Sequence, residues 1–204
     1  MQIKKDNTEE IILKKSEEMF LENGFAKTSM RDIAAASGVG LSNIYNYFKN
    51  KDEIFYHLVR PLILEFYRLF GEHHGRKSSI DALDMVTEKY MENNLRQYTE
   101  LFTNHRTRMR LLFLKSQGSA LQNFKEESIN KATEQVMEWF DMVKEKYPHI
   151  NTNITKFSVH LHTVWMFSFI EEMIMHDVQK EEFDAILKEY LVFETTGWKE
   201  LMKI

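Results

Sequence analysis

Ile12, Ser16, Met19 and Phe20 recur at helical spacing, with Lys14, Lys15, Glu18 and Glu22 on the opposite side. That pattern describes a helix with one buried face. Asn7 and Glu10 form a candidate capping box for its start. Gly24 is placed to end it as a left-handed cap, with Phe25 folding back over the last turn. A second capping box, Ser29 with Asp32, opens a short helix built on Ile33 and the small residues Ala34, Ala35 and Ala36. Ser37-Gly38-Val39-Gly40 breaks it, and a third short helix is predicted from about Leu41 to Tyr47. Two short helices joined by a glycine-containing turn, with small residues where they cross, are the sequence form of a helix-turn-helix.

Beyond Asn50 the period lengthens into one long stripe: Ile54, Phe55, Leu58, Val59, Leu62, Phe66, Leu69 and Phe70. Pro61 falls inside it and is expected to kink the helix. Gly71 to Ser79 reads as a polar break. Helical segments are predicted near 80–103, 105–117 and 120–146. Pro148 punctuates, Asn151 or Asn153 is available as a cap, and the last two helices fall near 154–177 and 180–202. The predicted fold class is all-α: a three-helix helix-turn-helix domain over 1–52 and a C-terminal helical bundle over 53–204, the boundary lying within the fourth helix.

Composition supports long helices: 7 Gly and 2 Pro leave few turn residues, while 12 Met and 15 Phe supply core-filling side chains. The absence of Cys excludes disulfides, thiolate metal sites and a cysteine nucleophile. No phosphate-cradling glycine loop or nucleophile motif is present, so no enzymatic activity is expected. The chain opens on polar residues without an apolar signal region, and its densest apolar stretch, Val164 to Ile170, is too short to span a bilayer. A cytoplasmic protein without membrane contact is expected. Net charge is −4, so any surface for nucleic acid must be local.

Thr28-Ser29, Ile33-Ala34, Gly38-Val39, Tyr45-Asn46-Tyr47-Phe48 and Lys51 stand in order and at close spacing. This stretch resembles the DNA-binding signature of the TetR family of transcriptional regulators (TetR/AcrR-like). Two positions depart from the family pattern: Gly40 stands where Ser or Thr is frequent, and Ser42-Asn43 where Gly-Thr is frequent. Base preference therefore does not transfer from a relative.

The same residues can be read without the family. A helix entering the major groove needs polar tips in front and an apolar brace behind. Val39, Ile44, Tyr45 and Phe48 are assigned to the brace. Leu41, Ser42, Asn43, Asn46 and Tyr47 are then left facing outward. Asn pairs bidentately with adenine, and Leu41 is suited to a thymine methyl, although Asn43 and Asn46 also fit a plain solvated face. Thr28, Ser29, Tyr47 and Lys51 are suited to phosphates. The resemblance singles out Tyr47 and Lys51 as phosphate anchors.

For the C-terminal part the resemblance implies a sensor bundle and a homodimer, its last two helices pairing across a two-fold axis. Independently, His160 to Met175 is apolar almost all round, which calls for cover on more than one side. A two-fold protein suits a palindromic double-stranded operator with half-sites roughly 34–36 Å apart. Candidate lining for a small-molecule effector is Phe66, Tyr67, Phe70, Tyr90, Phe113, Trp139, His162, Trp165 and Phe169; each also fits an ordinary core. Arg106, Arg108 and Arg110 are candidate anchors for an anion. His73-His74 and His160-x-His162 raise a metal question. Neither has metal-ligand spacing, so no metal and no cofactor are expected. The expected function is a ligand-responsive regulator, most simply a repressor released from its operator by a small molecule. The alternative is a helix-turn-helix adaptor working through protein contacts.

Overall fold

The computed structural model describes residues 2–73 and 81–204. Among them every regular element is helical. Helix α1 spans Gln2–Asn23, α2 Met30–Ser37, α3 Leu41–Ile44 and α4 Lys51–His73. A 3₁₀ turn, Asp84–Val86, precedes α5 at Glu88–Met109, whose end widens into a π-helical turn over Arg110–Leu114. Helices α6 (Phe124–Lys146), α7 (Lys156–Met175) and α8 (Lys180–Met202) complete the chain.

The expected all-α class holds, and several boundaries differ from the sequence reading. Asn7 lies inside α1 and does not cap it. The predicted segments 80–103 and 105–117 are one continuous helix passing into the π turn. No Gly or Pro stands between them to stop the hydrogen-bond ladder. The third helix is a single turn, because the backbone after Ile44 closes as tighter turns, with the Tyr47 N–H donating to Ile44 at 2.9 Å. Thr155, not Asn151 or Asn153, caps α7 by accepting from the Ser158 N–H. Asn151 instead pins the C-terminus, its side chain donating to the Leu201 carbonyl at 2.8 Å. Helix α4 continues through Pro61 and past Gly71 to His73. His74, the side chain of His73, and the rest of the expected polar break lie outside the described residues.

The chain forms two compact units, Met1–Leu64 with Thr107–Phe124, and Glu65–Arg106 with Lys125–Ile204. The first is built around Phe20, Phe25 and Phe55, whose ring centroids lie 5.2 to 5.7 Å apart, with Ile12, Ile33, Ile44 and Phe48 buried beside them. The segment after α5 belongs to this unit: the Lys115 carbonyl accepts from Phe25 N–H at 2.9 Å, and the Ala120 N–H donates to Asp52 at 2.7 Å. In the second unit Phe102 stacks on Phe183 at 3.9 Å and Thr99 donates to Asp184 at 2.6 Å, which sets α5 against α8. A second core gathers Ala82, Trp139, Phe140, Val143, Ile150, Val159 and Met202. No helix among the described residues is long and apolar enough to cross a membrane.

Candidate nucleic-acid interface

Helix α2 starts where its sequence signal says it should. The Ser29 side chain accepts from the Asp32 N–H, and Asp32 accepts in return from the Ser29 N–H at 2.8 Å and hydroxyl at 2.7 Å. These bonds, the hydroxyl's first, hold the Asp32 carboxyl below the usual carboxylate range, with Lys51 adding to the effect. The helix ends at Gly38, whose φ of 68° is left-handed backbone that a residue with a Cβ adopts only under strain. That turn sends the chain into α3 through Gly40, which makes no side-chain cap.

Within α3 and the turns after it, Ile44 and Phe48 are four residues apart and both buried. Their neighbours Ser42, Asn43, Tyr45 and Asn46 are exposed, while Leu41 and Tyr47 are half-buried. Asn46 donates to the Asn43 side chain at 3.2 Å, so the two amides form one polar surface. The buried part of the brace is therefore Ile44 and Phe48, and Val39 is half-buried. Tyr45, assigned to the brace from the sequence, is 51% exposed. The error came from extending helical period through a helix that stops at Ile44. Tyr45 is thus a polar-tipped aromatic on the exposed side of this segment that the sequence reading missed. The exposed cations Lys27, Arg31 and Lys49 were also passed over. They compensate locally for the acidic overall charge.

Two residues assigned to phosphates are turned inward. Thr28 is buried, and its hydroxyl donates to the Gly24 carbonyl at 2.9 Å, closing the end of α1. Lys51, the first residue of α4, donates to the Phe25 and Thr28 carbonyls at 2.7 Å each and lies 4.0 Å above the Phe25 ring. Burial pushes its ammonium below the usual lysine value, opposed by the charges of Asp52 and Asp32. In this arrangement Lys51 ties the α1–α2 corner to α4, and two of its three N–H donors are committed. Beside it Asn50 caps α4, accepting from the Glu53 N–H at 2.8 Å.

Eight of the nine residues proposed to line a ligand pocket lie in the second unit. The ninth, Phe113, belongs to the first unit, its ring centroid 6.3 Å from that of Phe124. Phe66 and Phe70 stack at 4.8 Å beside Phe167, Tyr67 is 40% exposed under Lys131, and Trp139 belongs to the second core. Tyr90, His162, Trp165 and Phe169 lie on α5 and α7; Trp165 and Phe169 both contact Tyr190 of α8, at 4.9 and 4.5 Å. Arg106 bonds Asp177 and the Val178 carbonyl, and Arg108 the Leu58 carbonyl, so both serve the fold. His160 stacks on Phe157, and His162 faces Glu194 and Trp198. Among the described residues no cluster of His, Asp or Glu is arranged to hold a metal ion.

Residues 12–58, which hold this whole arrangement, match the family described as bacterial regulatory proteins, tetR family. The chain carries the DNA-binding domain of the TetR family. Solved structures with the TetR-type fold extend the likeness over nearly the full length. NalD, the secondary repressor of the MexAB-OprM multidrug efflux pump in Pseudomonas aeruginosa, shares 19% identity at a TM-score of 0.63, over 93% of this chain and 95% of that one. A transcriptional regulator from Aquifex aeolicus VF5 shares 21% at 0.56, over 95% and 99%. A TetR-like transcriptional regulator from Rhodococcus sp. RHA1 shares 17% at 0.59, over 95% of each chain. At these identities the likeness is one of fold. No curated protein matches the chain. The family match covers the N-terminal helix-turn-helix region, and over the rest of the chain the likeness is one of fold.

Proposed function

We propose that this protein is a regulator of the TetR type: a cytoplasmic, ligand-responsive repressor, working as a homodimer on a palindromic operator. Residues 1–52 act as the DNA-binding domain and 53–204 as the sensing and dimerising domain. The observation that carries the reading is the surface of α3. Four exposed polar residues, Ser42 and Asn43 on the single turn of α3 and Tyr45 and Asn46 just after it, are held from behind by Ile44 and Phe48. A short, braced, polar-tipped helix is what major-groove entry requires. Asn43 and Asn46 read base edges, Leu41 meets a thymine methyl, and Ser29, Tyr45 and Tyr47 hold phosphates. Neither α3 nor the turns after it carry Arg or Lys before Lys49, so the cationic contribution comes from their neighbours.

The dimer reading rests on apolar surface left on the last two helices. Phe157, Leu161 and Trp165 recur every four residues along α7 and are 68%, 52% and 38% exposed. Phe193 and Leu201 do the same on α8, 65% and 44% exposed, with Gly197 between them. Nothing lies within 4 Å of the point where a Gly197 side chain would begin, so a second helix can approach closely there. Contiguous apolar surface of this extent marks an interaction site. A ligand that favours the DNA-free arrangement lowers operator affinity, and by reciprocity operator DNA lowers ligand affinity.

The test is a mobility-shift titration of the full chain on the DNA upstream of its own coding region, followed by selection from randomised duplexes. The expected result is a saturable, sequence-specific shift at two chains or a multiple, lost in Asn43→Ala/Tyr45→Ala. A folded dimer that selects no sequence from the random pool would overturn the reading.

A further inference from the structure

Within the second unit, α5 and α8 each set a polar and aromatic stripe, with residues four apart, on the region of their contact. On α5 these are Tyr90, Asn94 and Tyr98; on α8, Tyr190, Glu194 and Trp198. Antiparallel packing is fixed by Phe102 on Phe183 and Thr99 on Asp184, which places the two stripes along one another. Helix α7 adds Trp165 against Tyr190 and His162 against Trp198, the latter with ring centroids 4.7 Å apart.

Two acceptors in this cluster are underserved. Asn94 is 5% exposed, and its Oδ1 has no hydrogen-bond partner. Its side chain otherwise hydrogen-bonds Tyr90. The Glu194 side chain is only 14% exposed, and its partners are the Trp198 indole N–H at 2.7 Å and the His162 ring at a long 3.3 Å. Neither is a permanent cation. A carboxylate removed from water normally keeps its charge by pairing with one. Tyr98 and Tyr190 both lie within the electrostatic reach of Glu194, and burial raises both hydroxyls above the usual tyrosine range. They stay neutral and present aromatic faces, whose negative centres also favour positive charge.

We infer that this cluster is a binding site for a protonated organic amine with an apolar body. Its ammonium donates to Glu194 and to Asn94 Oδ1, and its body lies among Tyr98, Tyr190 and Trp198. The buried carboxylate disfavours anions. A neutral analogue supplies at best one weaker donor and leaves Glu194 uncompensated. This rests on the reading of the second unit as a sensor and names the chemistry of its effector.

The test measures binding to the full chain without DNA, so it stands apart from operator recognition. Tryptamine, its neutral counterpart tryptophol and the anion indole-3-acetate are titrated separately by calorimetry. Tryptamine is expected to bind one site per chain at least about tenfold more tightly than tryptophol, as a charge-assisted bond to a desolvated partner implies. Indole-3-acetate is expected not to bind. Glu194→Gln, which preserves shape, is expected to bring tryptamine down to the affinity of tryptophol. Asn94→Leu should weaken tryptamine severalfold more than tryptophol. The inference is overturned if tryptamine does not bind, if tryptophol or indole-3-acetate binds as well, or if Glu194→Gln keeps the preference. Should either variant fail to fold, the three-ligand comparison on the unmodified chain decides alone. Operator binding that survives any of these negative outcomes leaves the regulator standing and removes only its amine effector.

Discussion

Replacing Lys51 by Met separates two roles that share one side chain. Met keeps an unbranched apolar stem against Phe25 and deletes the ammonium. Lost are two 2.7 Å bonds from a charged donor to the Phe25 and Thr28 carbonyls and a cation–π contact at 4.0 Å. Bonds of this type contribute about 1.5–3 kcal/mol each when their partners are left buried, and a partly exposed cation–π pair about 0.5–1 kcal/mol. Against this stands the relief of a burial cost, visible in the lowered ammonium pKa, and the access of water to carbonyls at a half-buried corner. The net expectation is about 2 kcal/mol of destabilisation, roughly a 5 °C fall in melting temperature for a chain of this size. Thermal and urea unfolding measure the loss directly. Amide exchange is expected to localise it to the α1–α2 corner, at residues 24 to 29. The slope of log affinity against log salt for operator DNA is expected to stay nearly unchanged, because an ammonium engaged with carbonyls displaces few counterions. Unaltered stability combined with a salt slope shallower by about one would refute the structural role and return Lys51 to a phosphate.

Asn43→Ala and Asn46→Ala are each expected to cost about 1–3 kcal/mol at the cognate operator while leaving non-specific affinity unchanged, read by competition with mutated duplexes. Equal losses on all sequences would mean these amides read no bases. Gly197→Leu meets open space within one chain, so its fold and melting profile should persist when dilute, whereas light scattering should report monomers in place of the proposed dimer; a normal dimer would move the interface elsewhere. The Asp81 carboxyl is held down at about 2 by the Lys146 ammonium, the Leu83 N–H and the Tyr147 hydroxyl, against 3.8 when free. Since its folded pKa is depressed, its stabilisation is complete above about pH 4 and is lost as pH falls toward 2. With screening at this half-exposed site, Asp81→Asn is expected to cost about 1 kcal/mol at pH 7 and nothing near pH 2. A penalty independent of pH would assign the loss to packing.

Local signals in the amino-acid sequence determined several of the helix boundaries. The Ser29–Asp32 box, the left-handed glycines 24 and 38, and the stripe from Ile54 to Phe70 each act through backbone geometry or period within a few residues, so they survive translation into the fold. The ordered Thr28-to-Lys51 signature likewise carried the family. Tertiary structure alone decided which way individual side chains face. Tyr45 points outward because α3 is cut to one turn by the packing of Ile44 and Phe48, an outcome no helical wheel contains. Lys51 looked like a phosphate ligand because a lysine at a helix start is a ready cation. Its destination was set by two carbonyls 23 and 26 residues away in sequence, freed where α1 ends. The same limit hid the α5–α8 cluster. Tyr90, His162 and Trp165 were singled out, but Glu194 is an ordinary acidic residue on an exposed-looking helix until Tyr98, some hundred positions earlier, is brought near it. Period and capping are local and can be read along a chain. The environment of a charge is made by whatever the fold brings beside it, and only the assembled helices specify that.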